Sequence, residues 1–165
     1  LNSFLARLSK SKAERISGTA VFMTASGDVV PQALLHNLKH NKVIHERVVL
    51  LTVITEAVPW YASSRRIEVS QHPHAFFRVT ARYGFMESPD VPAVLTECAA
   101  HGLSFDMMDT SFFLGRDSLV PAQKCAMARW RERLFLWLWK NASSATEFFR
   151  LPPNRVVEMA SQTET

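Results

Sequence analysis

HNLKHNKVIHERVVLLTV, residues His36–Val53, is the stretch whose reading decides the fold. Its first part belongs to a short amphipathic helix. Leu34, Leu35 and Leu38 form the inward stripe, and His36 and His40, four residues apart, share the opposite face toward solvent. A polar turn carrying Lys39 and Lys42 follows. Val48–Val53 then reads as an apolar strand, the composition expected where both faces of a parallel sheet are covered.

Working upstream, Thr19–Met23 (TAVFM) is a second short apolar run of β-formers, and Thr24–Val30 is a loop. Pro31 fits the first turn of the helix, where its missing N–H costs nothing, and Asp28 sets negative charge near that helix start. Strand, helix, strand in this order predicts a right-handed βαβ unit. Leu1–Ile16 is amphipathic, with Leu1, Phe4, Leu5 and Leu8 at helical spacing and Arg7, Lys10, Lys12 and Arg15 beside them.

Downstream the period changes to two. Ile67 and Val69 alternate with Arg66, Glu68 and Ser70, and Phe77, Val79, Ala81, Tyr83 and Phe85 alternate with Arg78, Thr80 and Arg82. A turn at Gln71–His74 makes these an antiparallel hairpin. Ser88–Gly102 is a helix, with Ser88 as candidate N-cap, Pro89 in the first turn and Gly102 at the left-handed C′ position. Thr110–Leu114 is a strand, Met127–Lys140 a strongly apolar helix, Ala142–Phe149 a further helix, Arg155–Met159 a last strand and Ala160–Thr165 a frayed tail. The fold class is therefore α/β: a mixed, mainly parallel sheet with helices on both faces and one antiparallel hairpin. Residues 1–17 read as a linker helix and residues 18–165 as one α/β domain.

Composition agrees. Apolar residues make up 47% of 165, enough for a sizeable core and too many for a disordered segment. The formal charge is +4, without the dense Lys/Arg block of a nucleic-acid binder. The longest apolar run, Leu134–Trp139, falls far short of the roughly 20 residues needed to span a bilayer. Cys98 shares a helix face with Val91, Val94 and Leu95 and reads as a small buried hydrophobe; neither it nor Cys125 sits in a metal-binding spacing.

Catalytic chemistry is not indicated. There is no P-loop, dinucleotide fingerprint, nucleophile elbow or zinc-protease motif. His36 and His40 lack the third and fourth ligands that zinc requires. Thr24, Ser26 and Gly27 lie after a parallel strand and before a helix, where anions and nucleotides bind in open α/β sheets; an ordinary connecting loop fits the same residues. Arg129, Trp130, Arg131 and Arg133 interleave base and aromatic, but Trp130, Trp137 and Trp139 sit on a helix apolar nearly all round, which reads as core plus a protein interface.

The His36–Val53 run is similar to a signature of bacterial Kup-type potassium uptake proteins. Further matches keep the same order: Gly18-Thr19-Ala20-Val21-Phe22-Met23, Tyr83-Gly84-Phe85, Asp109-Thr110-Ser111-Phe112-Phe113-Leu114 and Pro152-Pro153-Asn154-Arg155-Val156-Val157-Glu158. The resemblance covers nearly all of residues 18–165 and implies the C-terminal cytosolic domain of a low-affinity potassium–proton symporter. That domain would lie on the cytoplasmic face of the bacterial inner membrane, with the transmembrane part of the same transporter as its partner. The resemblance further implies a universal-stress-protein-like fold, homodimerisation and, in some bacteria, binding of cyclic di-adenosine monophosphate. A nucleotide-sensing module is the alternative. The ion-handling residues belong to the membrane part, so no transport residue is carried over, and no cofactor, metal or nucleic-acid partner is expected.

Overall fold

The computed structural model describes residues 2–8, 13–26, 29–120 and 145–164. In chain order these form α1 (Asn2–Leu8), β1 (Glu14–Thr24), α2 (Gln32–His40), β2 (Val43–Glu56), β3 (Ile67–His72), β4 (Phe76–Gly84), α3 (Val91–Glu97), β5 (Thr110–Val120), α4 (Ala145–Phe148) and β6 (Val156–Glu164). The six strands make one sheet in the order β3-β4-β2-β1-β5-β6. Only β3 runs antiparallel, against β4, with Val69 opposite Val79. In the parallel centre, Phe22 of β1 stands beside Leu50 of β2 on one side and Phe113 of β5 on the other.

The unbroken apolar run in β2 has a direct physical cause, because its successive side chains enter two different cores. Val49 and Leu51 join Val21, Val79 and Phe112 on the face covered by Val91, Val94, Leu95 and Cys98 of α3 and its 3-10 extension. Val48 and Leu50 join Ala20, Phe22, Phe76 and Phe113 on the face covered by Ala33 and Leu34 of α2 and Leu5 of α1. Each fully buried Val, Leu or Phe among these contributes roughly 1.5–3 kcal/mol by leaving water completely, so a single alternating face could not supply the same stabilisation.

Several boundaries differ from expectation. α1 ends at Leu8, and Glu14–Ile16 already belong to β1, because these residues pair in parallel with Val43–His45. Leu35 is exposed, whereas Leu34 is buried and Leu38 packs half-buried against the same core as expected; Ala33 and Asn37 complete the inward face of α2. Asn37 is tolerated there because its amide donates to the Val43 carbonyl (3.2 Å) and its Oδ1 accepts from Asn41 (2.8 Å), tying the end of α2 to the start of β2. Pro31 occupies the N-cap rather than the first helical position. Asp90, not Ser88, caps α3: its carboxylate accepts from the Ala93 N–H at 2.9 Å. Gly102 does take the left-handed C-cap, at φ 78°. The tail expected to fray is strand instead, since β6 continues to Glu164 in register with Val120 of β5. The predicted helix at Met127–Lys140 lies outside the described residues, as does Ala142–Ser144 of the next.

Gly18 marks an interruption in the β1–β2 register between Ile16 and Thr19. Its φ of 97° suits glycine, and an added Cβ would stand 2.9 Å from the Asp109 carboxylate.

Candidate functional site

Counted by its parallel strands, the sheet grows outward from β1 through β2 and β4, then reverses to add β5 and β6 on the other side. The reversal leaves a crevice beyond the carboxyl end of β1, flanked by the middle of β5 and β6, which run on past it; switch points of this kind are where open α/β sheets bind ligands. A cleft of about 250 Å³ lies here. Met23, Thr24 and Ala25 end β1 against it, Pro31, Gln32, Ala33 and His36 bring the start of α2, and Gly115 and Met159 close the far side. Ligand pockets for drug-sized molecules begin at about 300 Å³, so this cleft suits a small group or one end of a larger ligand.

The cleft brings together only part of the predicted nucleotide loop. Thr24 lines it, Ser26 does not line it, and Gly27 lies outside the described residues. The Thr24 hydroxyl is used locally: Oγ1 donates to the Ser26 carbonyl (2.9 Å) and accepts from the Ser26 N–H (3.3 Å). This closes a hydroxyl-capped turn. The α2 N-cap, Pro31, offers no side-chain acceptor, and the first turn of α2 carries no acidic residue. His36 stands at the rim, exposed, its ring stacked on His40 with centroids 5.8 Å apart. The predicted interface residues Trp130, Trp137 and Trp139 lie outside the described residues.

No reacting pair is assembled among the described residues. Cys98 is fully buried, and burial pushes its thiol up to about 11, so it stays protonated and unreactive at neutral pH. His45 is half-buried and edge-on to Phe113, with centroids 5.8 Å apart; burial lowers its pKa and keeps the ring neutral. Among the described residues no three His, Cys, Asp or Glu side chains converge as a metal site would require.

A second organised region lies beyond the carboxyl ends of β2 and β4. Glu87 sits at its centre. Its Oε2 accepts from the backbone N–H groups of Gly84 (2.6 Å) and Tyr61 (2.9 Å), and its Oε1 pairs with Arg66. The two backbone donors and Arg66 hold its carboxyl below the usual carboxylate range. Arg66 also stacks over the Tyr83 ring at 4.9 Å and donates to the Tyr61 carbonyl. Two ladder bonds join the facing turns: Phe85 N–H to the Val58 carbonyl (2.9 Å) and Met86 N–H to the Pro59 carbonyl (3.1 Å). Gly84 permits this approach, since a Cβ there would stand 2.3 Å from the Pro59 oxygen. The turns present Val58, Trp60, Phe85 and Met86 to solvent, at 42%, 66%, 59% and 60% exposure. Period-two reading placed Phe85 in the strand but missed this region. Its signal was the Tyr83-Gly84-Phe85 triplet, where apolar residues continue past the glycine that ends the strand.

Residues 17–164 match the model of the K+ potassium transporter C-terminal domain. The chain belongs to that family. It is 56% identical over 150 residues to the probable potassium transport system protein Kup of Myxococcus xanthus, covering 91% of this chain and 23% of that protein. Over 164 residues it is 52% identical to the probable potassium transport system protein Kup 2 of Chromobacterium violaceum, covering 99% of this chain and 26% of the relative. The chain thus spans about a quarter of the length of the curated relatives it matches. Among the described residues no helix is long and apolar enough to cross a membrane.

Proposed function

We propose that this chain is the cytosolic regulatory and assembly domain of a potassium–proton symporter, working on the cytoplasmic face of the bacterial inner membrane. The observation that carries this reading is the family match over residues 17–164 combined with the quarter-length span of the potassium transport relatives. A regulatory domain acts on transport by binding one transporter state better than another. Homodimerisation, with Trp130, Trp137 and Trp139 at the contact, belongs to the same proposal. The test is to delete residues 18–165 from the full-length transporter and measure rubidium uptake and oligomeric state in membranes. A changed rate or a lost oligomer is expected; an unchanged rate together with an unchanged oligomer refutes the reading.

A second reading, nucleotide sensing, is supported by the cleft at the β1–β5 switch point. Titration calorimetry with ATP, AMP and cyclic di-adenosine monophosphate tests it. Absence of heat at high micromolar ligand refutes it.

A further inference from the structure

We propose that Val58, Trp60, Phe85 and Met86 form a docking surface for the remainder of the same transporter polypeptide. The inference rests on the regulatory-domain reading and names the surface through which that domain acts.

The surface is built rather than incidental. Its four exposed side chains come from two turns that the ladder bonds at Val58–Phe85 and Pro59–Met86 hold side by side. The Glu87 carboxylate locks both turns from beneath, through Tyr61 on one and Gly84 on the other. Such preorganisation lowers the ordering cost of association. Trp and Phe are also the side-chain types that anchor interfaces.

Area selects the occupant. Four side chains at these exposures offer on the order of 400 Å² of apolar surface, about half of the roughly 800 Å² each partner contributes to a stable free complex. A patch of this size is too small to hold a second copy from solution on its own. It suffices for a partner in the same polypeptide, whose effective concentration lies in the millimolar range. About three-quarters of each relative's length lies outside the matched span, so such a tethered partner is available. The charges nearby disfavour a lipid surface. Among the described residues beside these turns, Arg66 is paired with Glu87 and Arg82 with Glu56, so two of the nearby guanidiniums are already engaged rather than free to meet anionic headgroups.

The test uses the full-length transporter in membranes, with a photo-crosslinking phenylalanine analogue at position 60 and mass spectrometry of the adducts. An intramolecular adduct to the transmembrane part is expected. An adduct to a second copy, an adduct to lipid, or no adduct overturns the proposal. In parallel, the pair Trp60→Ser and Phe85→Ser is compared with deletion of residues 18–165 in rubidium uptake. Each truncated anchor should lower the docked-to-undocked ratio by on the order of tenfold, so the pair should shift uptake in the same direction as the deletion. Met108→Ser, also at an exposed apolar position, should leave uptake unchanged and controls for loss of exposed apolar surface. If the deletion changes uptake and the pair does not, the docking surface is refuted while the regulatory reading stands. If the deletion itself has no effect on uptake or oligomeric state, the regulatory reading has failed.

Discussion

Replacing Gly84 by Ala tests the joint between β2 and β4 most severely. The added Cβ would stand 2.3 Å from the Pro59 oxygen, 2.5 Å from its carbonyl carbon and 2.6 Å from the Trp60 nitrogen. All three are backbone atoms, so no flexible side-chain end can move aside. Relief requires the turn at Val58–Trp60 to retreat by about 1 Å, toward ordinary carbon–oxygen separations. That retreat disrupts the Phe85–Val58 and Met86–Pro59 ladder bonds, each worth about 1 kcal/mol net. Residual overpacking adds about 1 kcal/mol. The expected loss is therefore about 3 kcal/mol, a large share of the 5–15 kcal/mol that typically separates folded from unfolded. Urea unfolding of the 165-residue chain followed by tryptophan fluorescence and circular dichroism should show a lower midpoint at constant slope. Thermal unfolding should fall by roughly 10 °C. Gly115→Ala is the matched control, because its Cβ meets nothing within 4 Å; it should stabilise by about 0.4–1 kcal/mol. Equal midpoints for the two variants would refute the reasoning.

Further outcomes follow from other sites. Phe22→Ala removes a fully buried ring stacked on Phe113 at 4.6 Å and should cost about 4 kcal/mol by denaturant titration. Asn37→Ala leaves the Val43 carbonyl without its side-chain donor and should cost about 1–2 kcal/mol, read as earlier unfolding and faster exchange of the Asn41 amide. Glu87 has a folded pKa below its ordinary value, so its contribution is present above about pH 4.5 and is lost as acid protonates it. Glu87→Gln should flatten the acid limb of the stability profile, and an unchanged limb would discount the carboxylate's role. Cys98 has its pKa raised to about 11 from 9.0, so the folded chain holds a proton that the unfolded chain releases above pH 9. Stability should fall between pH 9 and 11 by on the order of 2 kcal/mol, and Cys98→Ala should remove that part of the alkaline loss.

What could be read before the structure depended on how far each signal was local. The parallel centre was legible because Val48–Leu51 feeds two cores and so abandons alternation, while the β3–β4 hairpin kept period two against one wetter face. Ser88 and Leu35 were misjudged for a shared reason. A serine followed by proline looks like a cap and a leucine looks like core, but only three-dimensional placement shows that Asp90 reaches Ala93 and that Asn37 occupies the inward position. The extension of β6 to Glu164 was invisible because the polar residues Ser161, Gln162 and Thr163 pair through their backbones with β5. The cleft was half legible: Thr24 could be placed after a strand, but Met159 reaches it from the far end of the chain. The platform around Glu87 left only the Tyr83-Gly84-Phe85 triplet as a trace in the sequence; the joining of Tyr61 to Glu87, 26 residues apart through a backbone donor, is encoded by no side-chain pattern.

The strand order also governs how the chain can assemble as it is synthesised. β1 emerges first and remains paired on both sides in the final sheet. β2 adds to one of its edges, β4 then adds outside β2 with β3 as its outer neighbour, and β5 and β6 follow on the opposite edge in turn. No strand has to open an existing ladder to enter. Chains released after Gly84 should already hold the four-stranded half-sheet β3-β4-β2-β1, with the β1 edge awaiting β5, so the ribosome can deliver this domain edge by edge.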